Sequence, residues 1–554
     1  MYSLTVADYV VFSLFLCISI GVGIYYAIKA RIKQRSTDDY LVGGRKMPSI
    51  PVALSLMTTF LTGMTLLGTP AEIFNRGGLF ALHYFMAPIA LAISGFIFTP
   101  IFYHLRSTSI YEYLEMRFHS LLLRRLCAAA FILNTLVYNA VTIYSPAVAM
   151  SGVTNLDLWL LILLVGASST MYTTIGGIKA VVWTDTIQAV IMYAGIGIII
   201  VKGVIEAGGF GHIWNVAIQS GRLQNTVRII PDPAQYMSIW SILLSSTTIW
   251  LTLYGVNQMS IQRYCSVPTI KDARKVVWLN IPFLMILSVM CCLVGFMVLA
   301  YFYYCNPLET GEINTPDQLV VLFAVKVTQN YPGVAGLFLA CVFAASLSTV
   351  SAGYNSIAAV IYNDFVKPHF ESRALLINKI VALLAGLIST GLAFACKPLG
   401  GILSSSVGLL GTTTGPVVGL FCLGVFAKNV STKATIVGFI GSTAFCVFLW
   451  VSNVVEEPYK DYRLPTNSSL KGCHGHAFTP TKIPTSYDPH FGRPGAFYFS
   501  KISTFSYAFI GLFFVVLISL ILSICIRTGH EKYSSERRHS LTWSGRPKKP
   551  SPLA

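Results

Sequence analysis

Ser348 and Thr349 follow Ala345 by three and four residues. On a helix those offsets bring both hydroxyls back to the carbonyl of residue 345. Such a face offers three hard oxygens, and two carbonyls from a broken neighbour would complete a small cage suited to a hard cation such as Na⁺. The same pattern also suits close helix packing, with each hydroxyl bonded back to its own helix. A second segment, Ser55 to Pro70, is crowded with Thr and Gly at its centre. β-Branched residues and glycine weaken helix. An unwound stretch there would turn backbone carbonyls towards a cavity, whereas a small-residue packing face is the competing reading.

Two further clusters stand out. Asp185 and Gln188 are three apart, like the ends of a capping box. They read as a helix start at the cytoplasmic interface, as an acid on the inner exit route of a cation, or as both. Trp250 and Tyr254 lie one turn apart among Ser, Thr, Asn and Gln. They would wall a substrate pocket or belong to an interfacial aromatic belt. No Ser-His-Asp, HExxH or paired-carboxylate arrangement occurs at comparable apolar depth, so the sequence does not point to an enzyme.

The elements that must position these groups are apolar spans. Charged residues make up 11% of 554 and hydrophobic residues 54%, against roughly 25% charged in an ordinary soluble chain. Mean hydropathy is +0.66. Runs long enough to cross a bilayer, about 20 residues each, fall near 6–28, 48–71, 79–104, 122–150, 156–175, 181–203, 237–259, 276–304, 332–362, 375–396, 401–426, 432–452 and 502–526. The expected fold is therefore an all-α polytopic membrane protein with about thirteen transmembrane helices.

The net charge of +17 sits in short clusters between the runs, as the positive-inside rule expects and nucleic-acid binding does not. No Lys or Arg precedes the first run, and Lys29, Arg31, Lys33 and Arg35 follow it. This places the N-terminus outside and residues 29–47 in the cytoplasm. The same count assigns Arg117, Arg124, Lys179, Arg263, Lys271 and Lys367 to inner loops, and the basic tail 527–554 to the cytoplasm. The sequon at Asn467 then lies in the long outer loop 453–500, open to glycosylation. Cys305 and Cys473 also face outwards, which leaves a disulfide between them open. Cys473, His474 and His476 are potential metal ligands, without a further partner nearby.

The stretch Tyr172-Thr173-Thr174-Ile175-Gly176-Gly177-Ile178-Lys179-Ala180-Val181-Val182-Trp183-Thr184-Asp185 resembles the signature of the sodium:solute symporters. So do Gly255-Val256-Asn257-Gln258 with Gln262-Arg263-Tyr264, the run Ser346 to Thr349, and Leu67 to Glu72. The resemblance spans about residues 5–455 and the last run. It implies a transporter core of two inverted five-helix repeats, here 48–203 and 237–426, preceded by helix 1–28 and followed by two helices within 427–526. It also implies a sodium site made of the carbonyls of Thr58, Leu61 and Ala345 with the hydroxyls of Ser348 and Thr349. Asp185, with Gln188 beside it, would line the inner exit.

Within the family the wording is most similar to the monocarboxylate, multivitamin and iodide branch. Phe60, Met64 and Thr65 depart from the sugar branch, and Thr65 resembles the monocarboxylate members. The expectation is a plasma-membrane symporter with Na⁺ as coupling ion and a small organic anion, first of all a monocarboxylate, as substrate. Phe60, Thr65, Trp250, Tyr254 and Gln258 would form the substrate pocket. Vitamin or iodide transport, and a channel or sodium sensor on the same scaffold, are the alternatives.

Overall fold

The computed structural model describes residues 4–525 apart from 34–36, 106–107, 155, 224–228, 368–372, 398–401, 428–429, 470–471, 474–478 and 481–487. The basic tail and the two histidines of the 473–476 segment lie outside the described residues. Among those described, every regular element is helical.

The chain opens with α1 (Val6–Lys33) and then a broken pair, α2 (Ser49–Phe60) and α3 (Gly63–Arg76), bent by 51°. Next come α4 (Gly78–Leu105), α5 (Leu121–Ser151) and the long run α6 (Leu158–Glu206). A short α7 (Gly209–Gln219) leads to a second broken pair, α8 (Ile239–Gly255) and α9 (Gln258–Tyr264), bent by 45°. Then follow α10 (Ile270–Phe302), α11 (Leu319–Val327), α12 (Val334–Ile361), α13 (Ala374–Ala393), α14 (Ile402–Phe426), α15 (Thr432–Glu456) and α16 (Tyr507–Cys525).

Among the described residues, ten helices are long and apolar enough to cross a membrane, and the two bent pairs raise that to twelve. The 49 residues of α6 would measure about 74 Å as one straight helix, more than twice a bilayer core. They fold back instead. Tyr172 donates to the carbonyl of Leu347 (2.9 Å), and the Cys341 thiol meets the carbonyl of Met192 (3.5 Å). Those partners lie six residues apart on α12 but twenty apart on α6, about 9 Å against about 30 Å of rise. The reversal falls at Gly177, whose φ of 60° and ψ of −169° suit glycine alone. Counted as two limbs, α6 completes the thirteen crossings read from the sequence.

Burial sorts scaffold from centre. In α12, 89% of the most apolar window is covered by protein, whereas in α16 the figure is 22%. Large apolar side chains such as Leu133, Val201 and Ile524 lie exposed on outer helices, where lipid replaces water. The start of α12 is held by Asp8, whose Oδ1 accepts from the backbone N–H groups of Gly333 and Gly336, each at 3.0 Å. A carboxylate there complements the orphan donors and the positive end of the helix.

Candidate functional site

The first break lies between Phe60 and Gly63. Leu61 leaves the helix at φ −94°, ψ 92°, and Thr62 restarts it, its side chain accepting from Met64 N–H at 3.1 Å. Thr62 is an N-cap, which is why a Thr-rich centre breaks here rather than merely packing. Gly63 faces α12 so closely that a Cβ would meet Ser346 Oγ at 2.2 Å. The break is thereby pressed against the middle of the most buried helix.

There Ser348 Oγ donates to the carbonyls of Thr58 (2.9 Å) and Ala345 (3.0 Å). Thr349 Oγ1 approaches the carbonyls of Thr59 (3.0 Å), Ala345 (3.2 Å) and Thr58 (3.3 Å). All five residues are fully buried. Five uncharged hard oxygens thus converge where two helices cross, a donor set that matches a small hard cation. Thr58, Ala345, Ser348 and Thr349 meet as the sequence suggested. Leu61 is buried at the break, and the carbonyl that joins the cluster besides that of Thr58 is that of Thr59.

One turn before the cage, Ser55 accepts from Thr58 Oγ1 (3.1 Å) and Thr59 Oγ1 (2.7 Å) through its carbonyl. Its own hydroxyl donates to Asp185 Oδ2 at 2.6 Å. Arg263 completes the group, with Nη2 to Asp185 Oδ2 at 3.2 Å, Nε to Ser55 Oγ at 2.9 Å and Nη1 to the Met259 carbonyl at 3.0 Å. Two sequence readings are corrected here. Arg263 is not in an inner loop but buried in α9, 2% exposed. Asp185 is no helix cap, because the second limb of α6 has already run several residues past Gly177. A charge buried beside an opposite charge and two hydroxyl-bearing turns is paired, as burial demands. Asp185 Oδ1 and both polar atoms of the Gln188 side chain are left without a protein partner. Arg117 does lie in a connection, between α4 and α5, where it is buried and donates to the carbonyls of Gly424 (2.8 Å) and Ala427 (2.6 Å).

Beside the first break lies a central cavity of about 50 Å³. Phe60, Thr65 and Trp250 line it, with His83, Tyr138 and Ser406. Trp250 Nε1 donates to the carbonyl of His83 (2.8 Å), and His83 Nδ1 bonds to Ser246 Oγ (2.8 Å). Leu403 also lines a larger vestibule of about 230 Å³. Phe60, Tyr138, Leu253 and Leu410 also wall a third cavity of about 40 Å³, which Asn257 and Met259 reach. The central cavity thus shares lining residues with each of the other two, so the three lie in series.

Two expected pocket residues stand back from these cavities. Tyr254 packs behind Phe60, ring centroids 5.2 Å apart, with its hydroxyl towards Asn280 Oδ1 at 3.2 Å. Gln258 is turned away altogether: Nε2 donates to the Thr108 carbonyl (2.7 Å), and Oε1 accepts from Ile110 N–H (3.0 Å). Its amide suits that loop because it offers a donor and an acceptor together. His83, Tyr138 and Ser406 were missed, since each sits inside an apolar run with no spacing to mark it.

The second break, at Val256–Asn257, repeats the device of the first. Asn257 caps α9, its Oδ1 accepting from Met259 N–H at 2.8 Å. The carbonyls freed here are answered from within the pair. Ser260 Oγ donates to Leu253, and Tyr264 donates to Tyr254 at 2.9 Å.

At the vestibule end, Cys305 and Cys473 form a disulfide with Cα atoms 5.0 Å apart. That bond takes Cys473 out of any metal set, and no cluster of three or more His, Cys, Asp or Glu ligands occurs among the described residues. Asn467 is exposed, its N–H bonded to the Tyr303 carbonyl at 2.9 Å.

A many-helix membrane fold with two broken helices, one of which meets a buried oxygen cluster, defines a secondary transporter. Residues 40–441 match the sodium:solute symporter family, and the chain belongs to that family. Human sodium-coupled monocarboxylate transporter 1 is 34% identical over 97% of this chain and 89% of its own length. The Xenopus laevis protein of the same name is 37% identical over 85% and 76%. The human sodium/iodide cotransporter is 36% identical over 80% and 69%. Among solved structures, a Na⁺-coupled sialic acid symporter in a substrate-bound outward-open state aligns with a TM-score of 0.76. It shares 23% identity and covers 94% of this chain and 98% of its own. The chain is thus a multi-pass sodium-coupled symporter rather than an enzyme, and Na⁺ is its coupling ion.

Proposed function

We propose that this symporter imports a small monocarboxylate together with Na⁺ by alternating access. The observation that carries the reading is the convergence of the Thr58, Thr59 and Ala345 carbonyls with the Ser348 and Thr349 hydroxyls beside a small cavity. That cavity offers hydroxyl and aromatic groups and no carboxylate, which favours an anionic or neutral solute over a cation. The relatives named for monocarboxylate transport support the substrate class. Relatives named for multivitamin and iodide transport match at 35% and 36%, so identity alone does not separate the substrates.

In this account Na⁺ in the cage braces the first break against α12 and favours the state that accepts solute. It acts only through its tighter binding to that state. Solute passes from the vestibule to the cavity lined by Phe60, Thr65 and Trp250. Opening of the other end then frees Na⁺ past Asp185, whose Oδ1 and the neighbouring Gln188 amide are unpartnered. The two broken pairs each begin one of the proposed repeats, 48–203 and 237–426, which supports their inverted relation. The disulfide and the exposed Asn467 lie at the vestibule end. They support an extracellular vestibule, an external N-terminus and a cytoplasmic tail at the plasma membrane. Asn467 is the proposed glycan acceptor.

One Na⁺ with one monovalent anion moves no net charge, whereas two Na⁺ gain about 2.3 kcal/mol per 100 mV. We therefore expect substrate-evoked inward current. Uptake into vesicles over a panel of lactate, short-chain acids, pantothenate, biotin, iodide and glucose tests the substrate. Concentrative, Na⁺-dependent lactate uptake supports the reading. Accumulation of iodide or a vitamin alone replaces the substrate, and non-concentrative flux would point to a channel.

A further inference from the structure

The vestibule is the largest cavity of the three, and charged side chains line it: Glu72, Arg76, Asp317, Glu457, Lys460 and Arg463. Their formal charges balance, but their pairing does not. Glu72 accepts from Arg76 Nη1 (3.2 Å) and from the Tyr236 hydroxyl (2.9 Å). Glu457 pairs with Lys460 at 3.1 Å. Asp317 is buried in the first turn of the helical segment that starts at Pro316, where a negative charge complements the helix end. Arg463 differs: among the described residues its guanidinium makes no hydrogen bond and no ion pair.

Arg463 also has a cationic neighbour. Arg76 Nε donates to the carbonyl of Tyr462, the preceding residue, at 3.1 Å. The two guanidinium groups therefore share one rim of the vestibule. Arg463 is exposed on this rim, close to the charge of Arg76 and near Asp461, with which it makes no ion-pair contact. Two cations held on one rim, one of them unpaired, form a fork for an oxyanion. The central cavity beyond has no Lys, Arg, Asp or Glu in its lining, and Leu403 is common to both cavities. Selection by charge has to occur before the solute reaches it.

We propose that Arg463 and Arg76 form an anion-capture site in the vestibule, which binds the incoming carboxylate before it passes Leu403. The inference rests on the anionic substrate proposed above. Its chemistry is that of a small monovalent oxyanion or halide held by guanidinium groups.

The test pairs a transport measurement with a binding one. In proteoliposomes, Arg463→Gln should raise the KM for lactate about three- to tenfold, with maximal rate and half-saturating Na⁺ unchanged. Arg463→Lys should stay near wild type, and Arg463→Glu should raise KM further. In detergent and without Na⁺, lactate or iodide should raise the melting temperature of wild type, and Arg463→Gln should lose that shift while melting normally without anion. Normal anion transport with KM and the melting shift unchanged in Arg463→Gln would overturn the capture site and leave the substrate reading intact. A wild type that carries only neutral solute, yet shows an Arg463-dependent melting shift, would keep the site and remove the substrate reading.

Discussion

The two helix breaks use the same local chemistry to different ends. At each, a short polar side chain, Thr62 or Asn257, caps the returning helix by accepting from the N–H two residues on. Beyond that they diverge. The second break answers its freed carbonyls from its own continuation, through Ser260 and Tyr264. The first leaves the carbonyls of Thr58 and Thr59 to hydroxyls of another helix, Ser348 and Thr349. A self-satisfied break is a structural bend. A break completed by a second helix becomes a site, because anything held there depends on how the two helices sit relative to each other. Such dependence would couple an ion held there to a conformational change.

Arg263 joins the two regions, since it belongs to the second broken pair and reaches Ser55 of the first and Asp185 of α6. Arg263→Met should have the largest effect on stability. Removing one partner of a buried pair costs about 3–5 kcal/mol, so the variant should express poorly or melt much lower in detergent. Wild-type melting behaviour would show that the pair does not hold the breaks together.

Gly63→Ala comes next. The new Cβ would fall 2.2 Å from Ser346 Oγ, an overpacking worth about 1–3 kcal/mol. It should depress Na⁺-dependent uptake, and Ser346→Ala on the same background should restore part of it. Failure of that rescue would mean that close approach of the first break to α12 is not what matters. The smallest effects separate the caps. Thr62→Ala and Asn257→Ala should each cost about 1 kcal/mol of stability. Only Thr62→Ala should also weaken Na⁺ activation, and an equal loss in both would erase the distinction between the breaks.

Much of this was legible in the sequence. Apolar length alone gave the crossings, including the boundary near Gly177. The Thr-rich centre of the second run and the hydroxyls after Ala345 were visible as a possible cage, although only the resemblance favoured that over packing. Less legible were groups whose roles depend on partners distant in sequence. Arg263 looked like a loop cation because it lies between the apolar runs 237–259 and 276–304, and only the fold sets it beside Asp185, 78 residues earlier. Gln258 looked like a pocket residue because its neighbours are polar, yet its amide fits the backbone of residues 108–110. The short helices α7 and α11 escaped notice because neither is long enough to register as a crossing.

We propose that the first break binds Na⁺ and the second does not. The most direct test is the Na⁺ activation curve of lactate uptake in proteoliposomes, compared between Ser348→Ala/Thr349→Ala and Ser260→Ala. A contact to a charged group is worth about 1.5–3 kcal/mol, or roughly tenfold and more in affinity for each hydroxyl. The double variant should therefore need at least tenfold more Na⁺, or lose activation, while Ser260→Ala keeps the wild-type midpoint. An unchanged midpoint in the double variant, or an equal shift in Ser260→Ala, would contradict the account.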